Sequence, residues 1–171
     1  MTSQRTPAIR RLEEADLAAA ADVIRRSFAT VAEEFGLTED NCPGHTSFIS
    51  VERLAAQFAR GWLMYGLEDG GRLVGHVALT IDCGVCEIHN LAVLPDCRHR
   101  QLGRRLLDFC KDVATGCGAS EISLSIMEEN GPLRAWYLAH GFAHTGTARF
   151  AHLPFTVGRL VWRPTDQRPT F

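Results

Sequence analysis

The spacing of hydrophobic residues changes several times along the chain, and each change predicts a new secondary-structure element. A short apolar run at residues 8–12 predicts a first strand. Apolar residues then recur every three or four positions, as on the buried face of a helix. These residues are Leu17, Ala20, Ala21, Ile24 and Phe28. Asp16 stands directly before them and is predicted to cap this helix, as Ser50 is for a second helix over residues 51–60.

Three strands joined by tight turns are predicted next. Residues 61–68 and 72–82 form a hairpin around the glycine-rich turn at residues 69–71. Alternation in the second of these strands places four apolar side chains on one face, which we expect to be buried. They are Leu73, Val77, Leu79 and Ile81. A third strand over residues 87–94 is the most apolar of all and ends at Pro95.

The second half of the chain alternates helices with strands. Residues 101–118 predict a helix with an apolar stripe that we expect to be buried. The stripe consists of Leu102, Leu106, Phe109, Cys110 and Val113. A strand follows at residues 121–127, and Asn130 is predicted to cap a short helix. Two final strands are predicted at residues 144–153 and 155–162.

This order of elements predicts an α/β (α+β) fold, with a mixed and mostly antiparallel sheet of about seven strands and about four flanking helices. The chain has 171 residues, which is the length of one ordinary domain. We therefore assign residues 1–171 to a single domain and expect a frayed tail at residues 164–171.

Composition narrows the classes of function. Hydrophobic residues make up 46% of the chain and charged residues 22%, as in soluble globular proteins. The net charge of −2 argues against a general nucleic-acid binder, which would carry a basic surplus. No apolar run approaches the length of about 18 residues that a membrane span needs, and no secretory signal is visible. We expect a cytoplasmic protein that binds neither nucleic acid nor membrane.

The six cysteines could suggest disulfides or a metal. Reduced thiols are expected without a secretory signal. Cys83 and Cys86 have the spacing of a zinc knuckle, but a structural zinc site needs four ligands, and Cys42 with His45 is a weak second pair. We interpret Cys83 and Cys86 as flanking a turn and predict no metal site. A zinc-dependent interaction domain is the alternative.

The segment from residue 91 to residue 105 has the features of an anion-binding site. A strand, a short loop and the start of a helix follow one another, and the free N–H groups at a helix N-terminus favour negative charge. Four arginines add charge-assisted hydrogen bonds. They lie within eight residues and are Arg98, Arg100, Arg104 and Arg105. A pyrophosphate suits such a loop.

Two motifs resemble those of the GNAT superfamily of acyl-CoA-dependent N-acetyltransferases. The first is Leu91-Ala92-Val93-Leu94-Pro95 followed by Arg98-His99-Arg100-Gln101-Leu102-Gly103, where the family has R/Q-x-x-G-x-G/A. The second matches the pattern N-x(6)-Y-x(3)-G-F and consists of Asn130, Tyr137, Gly141 and Phe142. One helix and one strand separate the motifs, as in the family, and the resemblance covers nearly the whole chain.

The resemblance implies that acetyl-CoA is the cosubstrate. Backbone groups of residues 91–93 would pair with the pantetheine arm like an added strand, and N–H groups of residues 99–104 would hold the pyrophosphate. Asn130 would contact the cofactor arm, and the Tyr137 hydroxyl would face the sulfur as general acid. The implied cofactor-binding residues are Leu91, Ala92, Val93, Arg98, His99, Arg100, Gln101, Leu102, Gly103, Arg104, Asn130 and Tyr137.

Gln101 departs from the motif, since the family has its first glycine there. A glycine lets the backbone approach the phosphates without a Cβ. We expect that the helix entry does not require a positive φ at Gln101, so that the site tolerates the change.

Acetyl transfer needs a base for the amine and an acid for the thiolate. Glu87 and His89 stand two apart on one strand, so their side chains are expected to share a face. The resemblance to histone and serotonin acetyltransferases implies that Glu or His at these positions acts as the base, often through water. We favour Glu87, with His89 second. The alternatives are a solvated Glu87, a hydrogen-bonded His89 and a Tyr137 that only packs in the core.

We therefore predict an enzyme that moves an acetyl group from acetyl-CoA to a primary amine by direct attack. A small-molecule amine is favoured over a protein, and many members of the family are homodimers, although the sequence marks no interface. The alternative is a non-catalytic acyl-CoA-binding module, which Gln101 favours. Aromatic residues are expected to line the acceptor pocket, and they are Phe35, Phe48, Phe150, His152 and Phe155.

Overall fold

The computed structural model describes residues 6–165, so the end of the expected frayed tail lies outside the described residues. Within this range there are seven strands. They are β1 (Ala8–Arg11), β2 (Leu63–Asp69), β3 (Arg72–Asp82), β4 (Val85–Val93), β5 (Glu121–Met127), β6 (Ala143–Arg149) and β7 (Thr156–Trp162). The four α-helices are α1 (Leu17–Phe35), α2 (Val51–Ala59), α3 (Leu102–Gly116) and α4 (Gly131–Ala139).

The strands form a mixed sheet in the order β1-β2-β3-β4-β5-β7-β6. The start of β4 pairs with β5 in parallel, at Val85, Cys86 and Glu87. The β1–β2, β2–β3, β5–β7 and β6–β7 pairs are antiparallel. The predicted fold class, with its mostly antiparallel sheet and four helices, is confirmed.

The described chain comprises two compact units, and the assignment to a single domain stays a prediction. The first unit runs to Thr80 and includes Ile88–Cys110. Its β2–β3 hairpin closes where Asp69 pairs with Arg72. The two intervening glycines have φ of 61° and 83°, the left-handed backbone of a type I′ turn, so the predicted hairpin is confirmed.

The helices of the first unit pack their apolar stripes on the sheet. A core cluster joins α1 and α2 to β2 and β3, and its members include Leu17, Ala21, Ile24, Leu54, Met64 and Ala78. The Ser50 hydroxyl accepts a hydrogen bond from the Arg53 N–H at 3.0 Å, which confirms the predicted cap of α2. Asp16 is the N-cap residue of α1, as predicted, but its side chain makes no capping hydrogen bond. Its carboxylate instead accepts hydrogen bonds from the Glu13 N–H and the Arg10 guanidinium.

Burial in β3 also differs from the prediction. The strand is buried on both faces from Val74 to Leu79, whereas Ile81, expected inside, is 39% exposed. The reason is that both faces are covered: Ala78 belongs to the cluster under α1 and α2, and Leu106 of α3 lies against the other face at Gly75.

The second unit comprises Ile81–Glu87 and the chain from Lys111 onward. In β5, Ile122, Leu124 and Ile126 are buried as predicted. The Asn130 side chain accepts a hydrogen bond from the Leu133 N–H at 3.2 Å, so the predicted cap of α4 is confirmed.

Candidate functional site

A left-handed residue interrupts β4 just before the motif strand segment. Asn90 has a φ of 51°, although it lies inside a strand. Such a conformation changes the direction of the backbone beyond it. Ala92 is buried, while Leu91 and Val93 are half-buried. Asn90 therefore places a left-handed backbone residue directly before residues 91–93.

The loop between β4 and α3 contains two more left-handed residues. A short 3₁₀ helix at Pro95–Cys97 leads into it, and His99 and Gln101 then have φ of 61° and 62°. The expectation that Gln101 needs no positive φ is wrong. The chain passes from an extended Arg98 to a helix that starts at Leu102, and it makes this reversal with left-handed residues rather than glycines.

The N-terminus of α3 fits a diphosphate. The Arg105 N–H donates to the Gln101 carbonyl at 3.1 Å, which is the first bond of the helix ladder. The N–H groups of residues 102–104 precede that bond and lie at the positive end of the helix dipole. Left-handed turns before a helix also gather N–H groups into a concave anion site. The loop can thus bind an anion through its backbone.

Replacing Gln101 by glycine is expected to raise the free energy of unfolding by about 1 kcal/mol. A side chain in left-handed backbone costs about 1–2 kcal/mol, and the greater freedom of glycine in the unfolded chain offsets part of the gain. Urea unfolding measures the difference. Gln101→Ala is the matched control, since it removes the amide but keeps the Cβ. An equal gain in that control would contradict the backbone explanation.

The arginines of this loop have partners within the first unit. Arg98 points its guanidinium at α1, donating to the Ser27 carbonyl at 2.8 Å and the Thr30 hydroxyl at 3.1 Å, and it also reaches the Val93 carbonyl at 3.3 Å. Burial lowers its pKa. Arg98 therefore anchors the loop to α1 through three uncharged oxygens.

The two exposed arginines pair with acids. Arg100 binds Asp69 at 2.7 Å, and Arg104 lies 3.6 Å from Asp108 one turn along α3. The cofactor-binding role assigned to the arginine side chains stays a prediction.

The two candidate bases differ in their surroundings. Glu87 is exposed on β4 and pairs through its backbone register with Ser123 of β5. His89 is half-buried, and its Nε2 lies 2.8 Å from the Thr80 hydroxyl oxygen. The imidazole also stacks on the Trp62 ring, with centroids 4.1 Å apart and planes at 27°. His89 is thus held in one orientation, and sequence reasoning missed both neighbours.

The candidate acid lies in the second unit. Tyr137 is 5% exposed, and its ring meets Trp136 and Phe142 edge to face, with centroids 4.9 Å and 5.4 Å apart. The ring is therefore fixed by packing, and its role as acid stays a prediction. Asn130 uses its side-chain oxygen to cap α4, and its cofactor contact stays a prediction too.

A cavity of about 290 Å³ lies in the second unit. Its lining comes from β5, β6, β7 and the loop after β6, and includes Ser125, Thr145, Thr147, Phe150, Val157 and Arg159. Among the predicted acceptor aromatics, Phe150 lines this cavity and is 47% exposed, with His152 beside it. Phe155 is half-buried. Phe35 and Phe48 are half-buried in the first unit, so their role stays a prediction.

The zinc-site alternative concerns Cys83, Cys86, Cys42 and His45. Cys83 is exposed in the turn before β4 and Cys86 is buried. The His45 Nδ1 lies 2.7 Å from the Ser47 hydroxyl oxygen. Among residues 6–165, no three His, Cys, Asp or Glu side chains are grouped to hold a metal ion.

No helix among residues 6–165 combines the length and the apolar character that crossing a membrane requires.

Solved structures share this fold. The PaiA N-acetyltransferase from Thermoplasma acidophilum, in complex with coenzyme A, is 20% identical, with a TM-score of 0.79 over 93% of this chain and 99% of that one. The ribosomal-protein-S18-alanine N-acetyltransferase from Escherichia coli is 20% identical, with a TM-score of 0.75 over 97% of this chain and 100% of that one. A chimera of the Vibrio cholerae spermidine N-acetyltransferase and hSSAT is 19% identical, with a TM-score of 0.71 over 94% of this chain and 96% of that one.

The family comparison agrees with the motifs. The model of the acetyltransferase (GNAT) family matches residues 28–142, which include β4, its loop, α3 and the whole of α4. Acetyl-CoA is the cosubstrate of these enzymes, as the sequence predicted. The chain is therefore a member of the GNAT acetyltransferase family.

Proposed function

We propose that the protein transfers an acetyl group from acetyl-CoA to a primary amine, preferably one on a small molecule. The observation that carries this proposal is the loop before α3. There, left-handed residues and the first N–H groups of α3 follow the motif segment of β4. This order of strand, loop and helix N-terminus suits a ligand with an extended amide arm and a diphosphate.

Residues 91–93 would hold the pantetheine arm through their backbone, and the N–H groups of residues 102–104 the diphosphate. Arg98 supports this arrangement because it ties the carbonyl of Val93, at the end of the strand, to α1. The loop that carries the N–H groups is thereby anchored at its start. We also assign to Asn130 a contact with the cofactor arm, and to Tyr137 a hydroxyl that faces the sulfur.

The transfer is a direct attack of the amine on the thioester. A base removes the proton that the amine must lose, the C–N bond forms, the C–S bond breaks, and an acid protonates the leaving thiolate. We assign the base to Glu87 or His89, acting directly or through water, and the acid to Tyr137. The exposure of Glu87 lets its carboxylate exchange protons with solvent, whereas Trp62 and Thr80 fix the ring of His89.

Two observations bear on the acceptor. The cavity beside Phe150 has a volume of about 290 Å³, near the lower limit for small-molecule pockets. The structurally similar enzymes bear names that specify spermidine in one case and a ribosomal-protein alanine in another. We take this cavity as the acceptor site, and its volume suits a small amine.

Calorimetric titration with acetyl-CoA tests the donor site. We expect a micromolar Kd, which corresponds to about 8 kcal/mol of binding free energy. Acetyl-pantetheine, which lacks the diphosphate, is the matched ligand and should bind more weakly because it cannot reach the N–H groups of residues 102–104. Equal affinities for acetyl-CoA and acetyl-pantetheine would contradict the assignment of the loop before α3 as the diphosphate site.

Turnover is measured separately, as thiol release with a panel of small amines and of peptides with free N-termini. Release with a small amine supports the proposed enzyme. Tight acetyl-CoA binding without release for any acceptor would instead favour a non-catalytic acyl-CoA-binding module.

A further inference from the structure

The middle of β3 contains a histidine that the proposed chemistry does not use. His76 is fully buried, and its Nδ1 lies 3.0 Å from the backbone carbonyl oxygen of Asn90 in β4. Because a carbonyl can only accept, Nδ1 carries the proton and donates it. His76 is thus the neutral Nδ1–H tautomer, bound to the backbone of β4 at Asn90.

The bond from Nδ1 to the Asn90 carbonyl is the main polar contact of the His76 side chain. His76 Nε2 is buried and has no hydrogen-bond partner among the described residues. Burial lowers the pKa of the imidazole to about 4, so the ring stays neutral near pH 7. A buried acceptor without a donor destabilises the folded chain, and an apolar residue would avoid that cost. What histidine adds at this position is the Nδ1 donor.

The partner of His76 is the residue that shapes β4. Asn90 holds a left-handed backbone inside a strand, and such a conformation persists only where its surroundings fix it. The neighbouring residue of β3 contributes too, since a Cβ on Gly75 would lie 3.2 Å from the Ala92 carbonyl oxygen. Gly75 and His76 together therefore determine the path of residues 90–92.

We propose that His76 is a positioning residue for acyl transfer, whose Nδ1–H holds the Asn90 carbonyl and thereby aims the backbone of residues 91–93 at the acyl donor. This inference rests on the proposed function. Small displacements of groups that orient a substrate reduce both its affinity and the rate of the reaction.

The experiment compares three variants. His76→Leu removes the donor, and His76→Asn places an amide nitrogen near the position of Nδ1. His76→Gln places it near Nε2, away from the carbonyl. The expected result is that His76→Leu weakens acetyl-CoA binding about tenfold, the cost of about one hydrogen bond. His76→Asn should restore most of the affinity and kcat, and His76→Gln should not.

Rescue by His76→Asn but not by His76→Gln would distinguish a positioning role of the Nδ1 donor from a packing role of the side chain. Equal affinities and kcat values in the Asn and Gln variants would overturn the proposal, as would unchanged kinetics in His76→Leu. If His76→Leu fails to fold, the comparison of Asn with Gln still decides.

Amide NMR shifts of residues 90–93 provide a readout that does not depend on activity. They should move in the Leu and Gln variants and stay near the native positions in the Asn variant, and the absence of such movement would overturn the proposal. Failure of the proposed function would look different, because the unaltered protein would then release no thiol from acetyl-CoA with any acceptor.

Discussion

Replacing Tyr137 by phenylalanine is expected to lower kcat by about 10²–10⁴-fold, the usual contribution of a general acid, while the Kd for acetyl-CoA stays within about a factor of two. The variant removes only the hydroxyl. Phenylalanine keeps the ring that packs edge to face on Trp136 and Phe142, so the fold is retained. Steady-state thiol release gives kcat, and calorimetry gives the Kd.

The chain offers a matched control, because it contains two tyrosines. Tyr65 packs edge to face on Phe109, with centroids 4.7 Å apart, and has no role in the proposed chemistry. Tyr65→Phe should leave kcat unchanged. A Tyr137→Phe variant that loses acetyl-CoA affinity and stability together, with kcat preserved, would make Tyr137 a packing residue.

Replacing Glu87 by glutamine is expected to lower kcat/KM at neutral pH by about 10²-fold or more, because the amide cannot take the proton of the amine. A base works only when deprotonated, so the rate of the unaltered enzyme should rise with pH on the acidic side of its profile. Loss of the base should flatten that rise. The pH dependence of kcat/KM, measured for Glu87→Gln and for His89→Gln, is the test.

The base is the residue whose variant no longer shows the rise of kcat/KM with pH on the acidic side of the profile. A flat response in Glu87→Gln together with a loss in His89→Gln would transfer the role to His89, whose ring Trp62 and Thr80 hold. Unchanged profiles in both would contradict the assignment to either residue. Glu34→Gln, at an exposed position of α1, controls for the general effect of removing a negative charge.

Features with local causes could be predicted from the sequence. The hairpin at residues 69–72 needs two left-handed glycines between strands, and the caps at Ser50 and Asn130 need one oxygen and a following N–H group. The chain supplies each of these within four residues. Strand β5 has the predicted bounds, residues 121–127, because its alternating apolar residues are flanked by breakers.

Features that depend on distant partners could not be predicted. Asp16 has the sequence position of a helix cap, but Arg10 competes for its carboxylate. Arg98 belongs to the cofactor motif, yet its guanidinium turns to Ser27, some 70 positions earlier in the chain. The spacing of nearby residues does not indicate which residues the folded chain brings into contact.

The candidate site divides in the same way. The residues of both motifs and the start of α3 could be predicted from their spacing. The stack of Trp62 on His89 and the bond from His76 to the Asn90 carbonyl could not, since both join residues that are far apart in the sequence. The positive φ of Gln101 could not be predicted either, because glutamine gives no local signal for it.

The partners of two arginines imply that acid weakens the first unit unevenly. The Arg10 guanidinium lowers the pKa of Asp16 from 3.8 to about 2. The stabilisation from this pair is therefore complete above about pH 4 and disappears as the pH falls through about 2. Arg98 instead binds two carbonyls and a hydroxyl, which do not take up protons in this range. Acid thus weakens the contact between β1 and the start of α1, while the loop before α3 keeps its anchor.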